Sequence, residues 1–291
     1  MLVEKQFIFG DNRLNYAEGP DSGPPLLLLH GNTWRWQSFL PIIPVLSLRW
    51  KIFALDFRGH GNSKHIPNSY SLDNFLADTL MFIENVIKKP VYIFGHSMGG
   101  AVSFLLAEKR PEMVKGLVIG DVSIQFENVE KSFKEAHEQI IQSAEWAGLK
   151  ISNLELLQKI MDFPMKLPDQ KKKLPWKDHP GEIPWLLSMA QNLSKLDPTA
   201  QESGISLETM RENWKLYDCH RFLPKILCPT LLLQANAKLG GMMSDSDVQL
   251  ALKHIKYAVH VKFDYIGHDL FATKAEPILQ VIINFLEMLR E

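Results

Sequence analysis

Cysteine, net charge and long apolar runs are all scarce in this sequence. The only two cysteines among 291 residues, Cys219 and Cys228, form neither a metal-binding cluster nor a disulfide framework, which predicts a reducing, cytoplasmic location and no bound metal. Lys and Arg number 32 against 33 Asp and Glu, so no global field recruits nucleic acid, and the expected partner is a small molecule. Apolar runs are too short to span a bilayer, and the first residues lack the apolar core of a secretory signal.

Short apolar segments alternate with helix-like segments along much of the chain. Segments typical of strands lie at 5–9, 13–18, 24–30, 51–57, 90–96, 114–122, 229–235 and 258–268. Strands that alternate with helices indicate an α/β fold with a mostly parallel sheet covered on both faces.

This alternation stops in the middle of the sequence. From about residue 123 to about residue 220 we find no convincing strand, only helical segments joined by proline-rich turns. The pattern predicts a core made of residues 1–123 and 221–291, with a helical insertion at 124–220.

A serine lies between two glycines in a Gly-x-Ser-x-Gly motif, directly after an apolar segment. Ser97 has Gly95 two residues before it and Gly99 two residues after it, and a helix-like segment follows. Such a strand-turn-helix holds the serine in a strained conformation with its hydroxyl projecting, and it requires small flanking residues because the chain folds back on itself. The motif predicts that Ser97 is an activated nucleophile.

A nucleophilic serine needs a base and hydrogen-bond donors for the oxyanion. Of the ten histidines, His268 follows the last predicted strand, at the edge of a parallel sheet where ligands bind, and we predict it to be the base. The N–H of Met98, next to the nucleophile, and the N–H of Asn32, in the loop after an early strand, are the predicted oxyanion donors.

Four motifs together resemble the α/β-hydrolase fold superfamily. They are "HGN" at 30–32, "DFRGHGNS" at 56–63, "GHSMGG" at 95–100 and "GHD" at 267–269. Their order and spacing match that superfamily over nearly the whole chain. The resemblance implies an eight-stranded, mostly parallel sheet, a Ser-His-acid triad in that chain order, an acyl-enzyme route, and no metal or organic cofactor.

The same resemblance identifies residues 124–220 as the cap, or lid, of the superfamily. The "HGN" motif also resembles the haloalkane dehalogenases, but those carry an aspartate nucleophile where this chain has Ser97. Dehalogenation and epoxide opening, which use a carboxylate at that position, are therefore disfavoured.

The triad acid is the point at which the sequence departs from the family pattern. Many members carry the aspartate shortly after the penultimate strand, whereas residues 236–238 here include no carboxylate. Asp245 and Asp247 come later, in what is typical of the first turn of a helix, which is a sufficient structural reason for them. Some members take the acid from the strand before the cap, here Asp121. We take Asp121 as the triad acid and keep Asp245, Asp247 and an incomplete or water-bridged triad as alternatives.

The substrate cleft is expected between core and cap. Trp34, Met242 and Trp185 are the predicted pocket residues, and side chains of this kind suit an apolar acyl or alcohol group.

These predictions converge on a cofactor-independent serine hydrolase that cleaves a carboxylic ester or lactone of a small, largely apolar substrate. Amide, thioester or carbon-carbon bond hydrolysis would use the same residues. The lack of a carboxylate at residues 236–238 also leaves open a ligand-binding or signalling protein with little turnover.

Overall fold

An open eight-stranded sheet forms the centre of the molecule in the computed structural model, which describes residues 2–165, 172–178, 183–202, 206–271 and 275–290. The strands are β1 (Val3–Phe9), β2 (Asn12–Glu18), β3 (Pro25–Leu29), β4 (Lys51–Leu55), β5 (Val91–His96), β6 (Val114–Gly120), β7 (Pro164–Met165), β8 (Leu174–Pro175), β9 (Thr230–Gln234) and β10 (Ala258–Lys262). The sheet order is β1-β2-β4-β3-β5-β6-β9-β10, and β7 pairs with β8 in a separate ribbon. Only the β1–β2 and β2–β4 pairings of the sheet are antiparallel, which confirms the predicted α/β fold.

Helices cover the sheet and fill the middle of the chain. They are α1 (Ile43–Leu46), α2 (Leu72–Phe82), α3 (Met98–Lys109), α4 (Phe126–Glu135), α5 (His137–Trp146), α6 (Asn153–Asp162), α7 (Ile183–Leu193), α8 (Pro198–Glu202), α9 (Leu207–Asn213), α10 (Cys219–Phe222), α11 (Asp245–His254) and α12 (Ala275–Met288). Over the described ranges, none of the helices has the length and apolar character that crossing a membrane requires.

Both faces of the sheet are buried, and this explains the unbroken apolar runs in its central strands. In β3, Leu27 and Leu29 pack into the core on one face, while Leu26 and Leu28 pack into the core on the other. Successive side chains of a strand point to opposite faces, so a strand covered on both sides is apolar at every position. The fully buried β5 follows the same rule and carries the chain to Ser97.

The helices from α4 to α9 occupy the predicted cap, residues 124–220, which we call the cap segment. Its buried residues, among them Trp146 and Ile160, belong to the same apolar cluster as one face of the sheet. The short ribbon β7–β8 lies within this segment, where no strand was expected, because two-residue strands have too little alternation to be recognised. The boundaries of the cap segment stay a prediction.

Candidate active site

Ser97 occupies a tight turn between β5 and α3. Its backbone has φ 53° and ψ −121°, a conformation that residues other than glycine rarely adopt. A Cβ at Gly95 would lie 2.3 Å from the carbonyl oxygen of Gly99 and from Ser103 Oγ, and one at Gly99 would lie 2.1 Å from the carbonyl oxygen of Leu29. The two glycines are therefore required by the close approach of the chain, as the motif predicts.

His268 lies between Ser97 and Asp121. Its Nε2 is 3.1 Å from Ser97 Oγ, and its Nδ1 is 2.7 Å from Asp121 Oδ2. Since a carboxylate can only accept, Nδ1 carries the hydrogen that bonds Asp121 and Nε2 is left to accept the hydrogen of the Ser97 hydroxyl. The three side chains, which are far apart in the sequence, form a continuous chain of hydrogen bonds at the carboxyl ends of the strands.

Asp121 is fully buried directly after β6, with φ 38°. Its carboxylate accepts hydrogen bonds from the backbone N–H groups of Met242 at 2.8 Å, Ala235 at 3.0 Å and Met243 at 3.2 Å, in addition to the bond from His268. Four donors around one carboxylate stabilise its charge and fix its orientation.

The pKa shifts of this pair follow from burial and mutual attraction. Burial works against ionisation of Asp121, but the hydrogen bond and charge of His268, with the N–H groups of Met242 and Ala235, hold the pKa of Asp121 below its ordinary value. Burial also opposes a charge on His268, yet the hydrogen bond and charge of Asp121 raise the pKa of His268 above its ordinary value. The arrangement thus favours a proton on His268 whenever one is delivered from Ser97.

The other two candidate acids have different partners. Asp245 is exposed and pairs with Lys262 Nζ at 2.8 Å. Asp247 is buried and forms a capping box with Ser244 at the start of α11, while it also accepts from the N–H of Gln125. The structure therefore brings Asp121, and neither of these aspartates, to His268.

His96 is a neighbour of the site for which the sequence predicts no catalytic role. Its ring is buried, and its Nε2–H donates to the carbonyl oxygen of His268 at 2.8 Å. The ring of Trp34 stacks on the ring of His96, with their centroids 4.5 Å apart. Burial, together with the charge of His268, lowers the pKa of His96 to about 3, so it is a neutral donor that holds the His268 loop.

The predicted oxyanion donors lie on two elements that meet at Ser97. Met98 is the first residue of α3, where backbone N–H groups have no acceptor within the helix. Asn32 lies in the loop after β3, which His30 fastens in place: Nδ1–H of His30 donates to the carbonyl oxygen of Gly31, and Nε2 accepts from the N–H of Phe57.

A small cavity of about 50 Å³ adjoins this turn. Its lining consists of Asn32, Tyr70, Leu72, Phe75, Met98, Ala200 and Trp214. The cavity thus contacts both predicted oxyanion residues and lies between the core and the cap segment. Most of these lining residues could not be predicted from the sequence, because the core and cap residues come together only in the folded chain.

The predicted pocket residues have other positions. Trp34 stacks on His96, and Met242 donates its N–H to Asp121, so both lie near the triad without lining the cavity. The side chain of Trp185 lies outside the described part of the chain. Within the described ranges, no group of three or more His, Cys, Asp or Glu side chains is arranged to hold a metal ion.

Comparison with known proteins identifies related sequences. A family model described as the alpha/beta hydrolase fold matches residues 24–149. A serine hydrolase-like protein of Danio rerio is 38% identical over 105 residues, which are 35% of this chain and 32% of that protein. The (E)-2-((N-methylformamido)methylene)succinate hydrolase of Acinetobacter baylyi is 28% identical over 155 residues, 53% of this chain and 56% of that protein. The chain thus spans about a third and about a half of these relatives.

Solved structures extend the likeness to the whole chain. The crystal structure of E-2-(acetamidomethylene)succinate hydrolase superposes with a TM-score of 0.74 at 18% identity, covering 99% of this chain and 100% of that one. An esterase from Thermogutta terrifontis superposes with a TM-score of 0.72 at 17% identity, covering both chains completely. Together with the Ser97 turn and the sheet order, these matches show that the chain has the α/β-hydrolase fold.

Proposed function

We propose that this protein is a cofactor-independent serine hydrolase that cleaves a carboxylic ester or lactone of a small, largely apolar substrate. The observation that carries the proposal is the hydrogen-bond chain from Ser97 through His268 to Asp121. A hydroxyl in contact with a base that is itself oriented by a buried carboxylate is the arrangement that activates a serine for attack on a carbonyl.

Acylation begins at the Ser97 hydroxyl. Oγ attacks the carbonyl carbon of the substrate while its proton passes to Nε2 of His268, and the carbonyl oxygen becomes an oxyanion. The N–H groups of Asn32 and Met98 hold that oxyanion, and the N-terminal end of α3 adds its positive dipole. His268 then returns the proton to the leaving oxygen, which departs as an alcohol and leaves the acyl group on Ser97.

Deacylation repeats these steps with water. His268 removes a proton from water, whose oxygen attacks the acyl carbon, and the proton returns to Ser97 Oγ as the acid is released. Asp121 keeps Nδ1 of His268 protonated and stabilises the imidazolium in both half-reactions. A lactone follows the same route, with the alcohol and acid joined in one product.

The environment of the site supports an uncharged substrate. Six of the seven residues that line the cavity have aliphatic, aromatic or thioether side chains, and the seventh is Asn32. The names of two of the related hydrolases specify succinate derivatives, which carry carboxylate groups, and we do not extend that substrate class to this chain because no cationic side chain is among the lining residues that the structure describes.

We further propose that the cap segment, residues 124–220, closes over a small-molecule substrate and that the protein acts in the cytoplasm. Ala200 and Trp214 of this segment contribute to the cavity lining. Cys219 and Cys228 are both free and buried, which is compatible with a reducing compartment.

The decisive experiment is the reaction of the purified protein with a small fluorophosphonate, followed by intact-mass measurement. We expect rapid addition of one phosphonyl group, because the reagent needs an activated serine and a formed oxyanion site. The Ser97→Ala variant should not be labelled, whereas Ser246→Ala, which removes an exposed serine on α11, should be labelled like the wild type.

Failure to label a folded wild-type protein would contradict the proposal. The favoured alternative would then be a ligand-binding or signalling protein with little turnover. Labelling with multiple turnovers on an ester would exclude that alternative.

A further inference from the structure

We propose that the cavity beside the Ser97 turn is an acyl pocket that selects short, uncharged acyl groups, from acetyl to butyryl. The leaving group then lies on the opposite, more open side of Ser97. This inference rests on the proposed serine hydrolase function and adds the substrate class to it.

The position of the cavity relative to His268 distinguishes its two possible occupants. The cavity contacts Asn32 and Met98, the residues that hold the carbonyl oxygen, so a group attached to the carbonyl carbon enters it directly. The leaving oxygen, by contrast, must face Nε2 of His268 to receive its proton. None of the described residues that line the cavity comes from the loop that carries His268. The cavity is therefore on the acyl side.

The leaving-group side is lined by different residues and is more accessible. The His268 side chain has 25% of its surface exposed, whereas five of the seven residues in the cavity wall are buried, and the other two, Asn32 and Trp214, are exposed and half-buried. Trp34 and Met242 lie on the His268 side, beside His96 and Asp121 respectively. We therefore expect a wide range of alcohols to be accepted there.

The size of the cavity limits the acyl chain. An apolar cavity of about 150 Å³ is known to hold benzene, so a volume of about 50 Å³ corresponds to roughly two or three carbon atoms beyond the carbonyl. Five of the seven lining residues belong to the buried apolar cluster on one face of the sheet, and packed side chains of this kind yield little to a longer chain; they are Tyr70, Leu72, Phe75, Met98 and Ala200. Acetyl, propionyl and butyryl groups fit this space, and an aromatic acyl group does not.

The hydroxyl of Tyr70, one of the lining residues, is already engaged. Tyr70 donates its hydroxyl hydrogen to Asp197 and accepts from the N–H of Ile66 at 2.8 Å, so it presents its ring to the cavity. A charged acyl group would lose its hydration against Leu72, Phe75 and the Tyr70 ring, and the described lining holds no side chain of opposite charge to compensate. The acyl group must therefore be uncharged.

Two residues of the cap segment set the depth of the pocket. Ala200 is buried and small, and Trp214 is large and only half-buried. A larger side chain at 200 would fill the cavity, and a smaller one at 214 would extend it. Substitutions at these positions should shift the preferred acyl length in opposite directions.

The test is a pair of substrate series measured as kcat/KM. In the first, p-nitrophenyl esters run from acetate through propionate, butyrate and hexanoate to octanoate; in the second, the acid is acetate and the alcohol runs from ethanol to octanol and naphthol. For the wild type we expect kcat/KM to fall by at least about tenfold between butyrate and hexanoate, the scale typical of methylene discrimination in an apolar pocket. No comparable fall should occur along the alcohol series.

Variants then test the walls of the pocket. Trp214→Ala should raise the ratio of kcat/KM for the hexanoate ester to kcat/KM for the butyrate ester by about tenfold. Ala200→Val should lower the corresponding ratio of butyrate to acetate by about tenfold. Because the two changes act in opposite directions, either one that folds is informative. Leu154→Ala, a change on α6 at a side chain that is 75% exposed, should leave both series unchanged.

The outcomes separate this inference from the function on which it rests. If fluorophosphonate labels Ser97 and esters are hydrolysed, but the rate is constant or rises with acyl length, the acyl pocket is wrong and the serine hydrolase stands. A length limit that appears in the alcohol series instead would place the leaving group in the cavity and overturn the inference. If Ser97 is not labelled, both proposals fall, because no acyl group is then formed.

Discussion

Replacement of Asp121 by asparagine separates orientation of the base from stability of the fold. Asparagine tolerates the positive φ at this position and can still accept backbone hydrogen bonds. Its amide, however, cannot stabilise a protonated His268 or enforce the correct tautomer. We expect kcat of Asp121→Asn to fall by on the order of 10⁴, with an unchanged circular dichroism spectrum.

Asp245→Asn is the matched control for that experiment, since Asp245 is exposed and pairs with Lys262. We expect its kcat to stay within about twofold of the wild type, because an exposed ion pair contributes little. If Asp245→Asn lost activity while Asp121→Asn stayed active, Asp245 and not Asp121 would be the acid of the triad.

Individual residues of the site differ in how far the sequence could predict them. The Ser97 turn is a local feature, because Gly95 and Gly99 are required by contacts within one strand-turn-helix. The partner of His268 is not a local feature. Asp121 comes directly after β6 and Asp245 lies at the start of α11, and the sequence does not show which of the two the fold brings to His268. The 2.7 Å distance from Asp121 to His268 is a product of the strand order β5-β6-β9-β10.

At the scale of elements, α8 of the cap segment is fastened to the core at the edge of the cavity. The Tyr70 hydroxyl donates to the buried carboxylate of Asp197, and the N–H of Asp197 donates to the carbonyl oxygen of Gly59 at 2.8 Å. Burial and the hydrogen bond to Asp197 raise the pKa of Tyr70, which keeps its hydroxyl protonated as a donor.

Tyr70→Phe should loosen this attachment. The change leaves the Asp197 carboxylate with one donor fewer and the N–H of Ile66 without its acceptor, at a cost of about 1–3 kcal/mol in the free energy of unfolding. Urea denaturation should detect the loss, and the backbone N–H groups of Asp197, Thr199 and Ala200 should exchange hydrogen faster. Tyr257→Phe, at an exposed tyrosine, is the control and should change neither. Equal stability of Tyr70→Phe and the wild type would show that the attachment lies elsewhere.

Elements of the core were predictable from the sequence, whereas their meeting with the cap segment was not. Strands such as β3 and β5 are apolar at consecutive positions because helices cover both faces, and that pattern is visible in the residues alone. The apposition of Phe75 on α2 with Ala200 on α8 depends on how the cap segment folds back over the sheet, which no local period encodes.

At the scale of the whole molecule, buried histidines make stability depend on pH. Burial lowers the pKa of His60 to about 4, and burial likewise holds the pKa of His30 well below its ordinary value. In the unfolded chain a histidine titrates near about 6.5, so as the pH falls the unfolded state takes up the proton first. The lowered pKa values therefore cost no stability above about pH 6.5, and the free energy of unfolding decreases as the pH falls from there towards about 4.

Asp56 acts in the opposite direction. Burial raises the pKa of Asp56 to about 6, so as the pH falls its carboxyl takes up a proton in the folded state before it does in the unfolded state. Protonation of Asp56 therefore adds to the free energy of unfolding as the pH falls from about 6 to about 4. Three buried histidines, His30, His60 and His96, have lowered pKa values and act in the other direction, so their effect outweighs that of Asp56.

We therefore expect the free energy of unfolding to fall between pH 6.5 and pH 4, with about 3 kcal/mol of the loss due to His60 alone. Urea denaturation at pH 7, 6 and 5 measures the slope. His60→Phe, which retains a ring of similar size, should reduce that slope by about one proton. Identical slopes for the two proteins would mean that His60 is not a buried neutral histidine.

The support of Asp121 by main-chain groups has a consequence for how the protein can evolve. Ala235, Met242 and Met243 hold the carboxylate through their N–H groups, which every residue except proline possesses. The loop between them can accordingly exchange residues at its exposed positions, 237–239, without disturbing the acid. Its length, however, fixes the spacing of the three donors. In natural or engineered variants of this sequence, we expect residues 237–239 to vary widely. Insertions and deletions in the loop, and proline at 242, should be rare because they displace or remove a donor to Asp121.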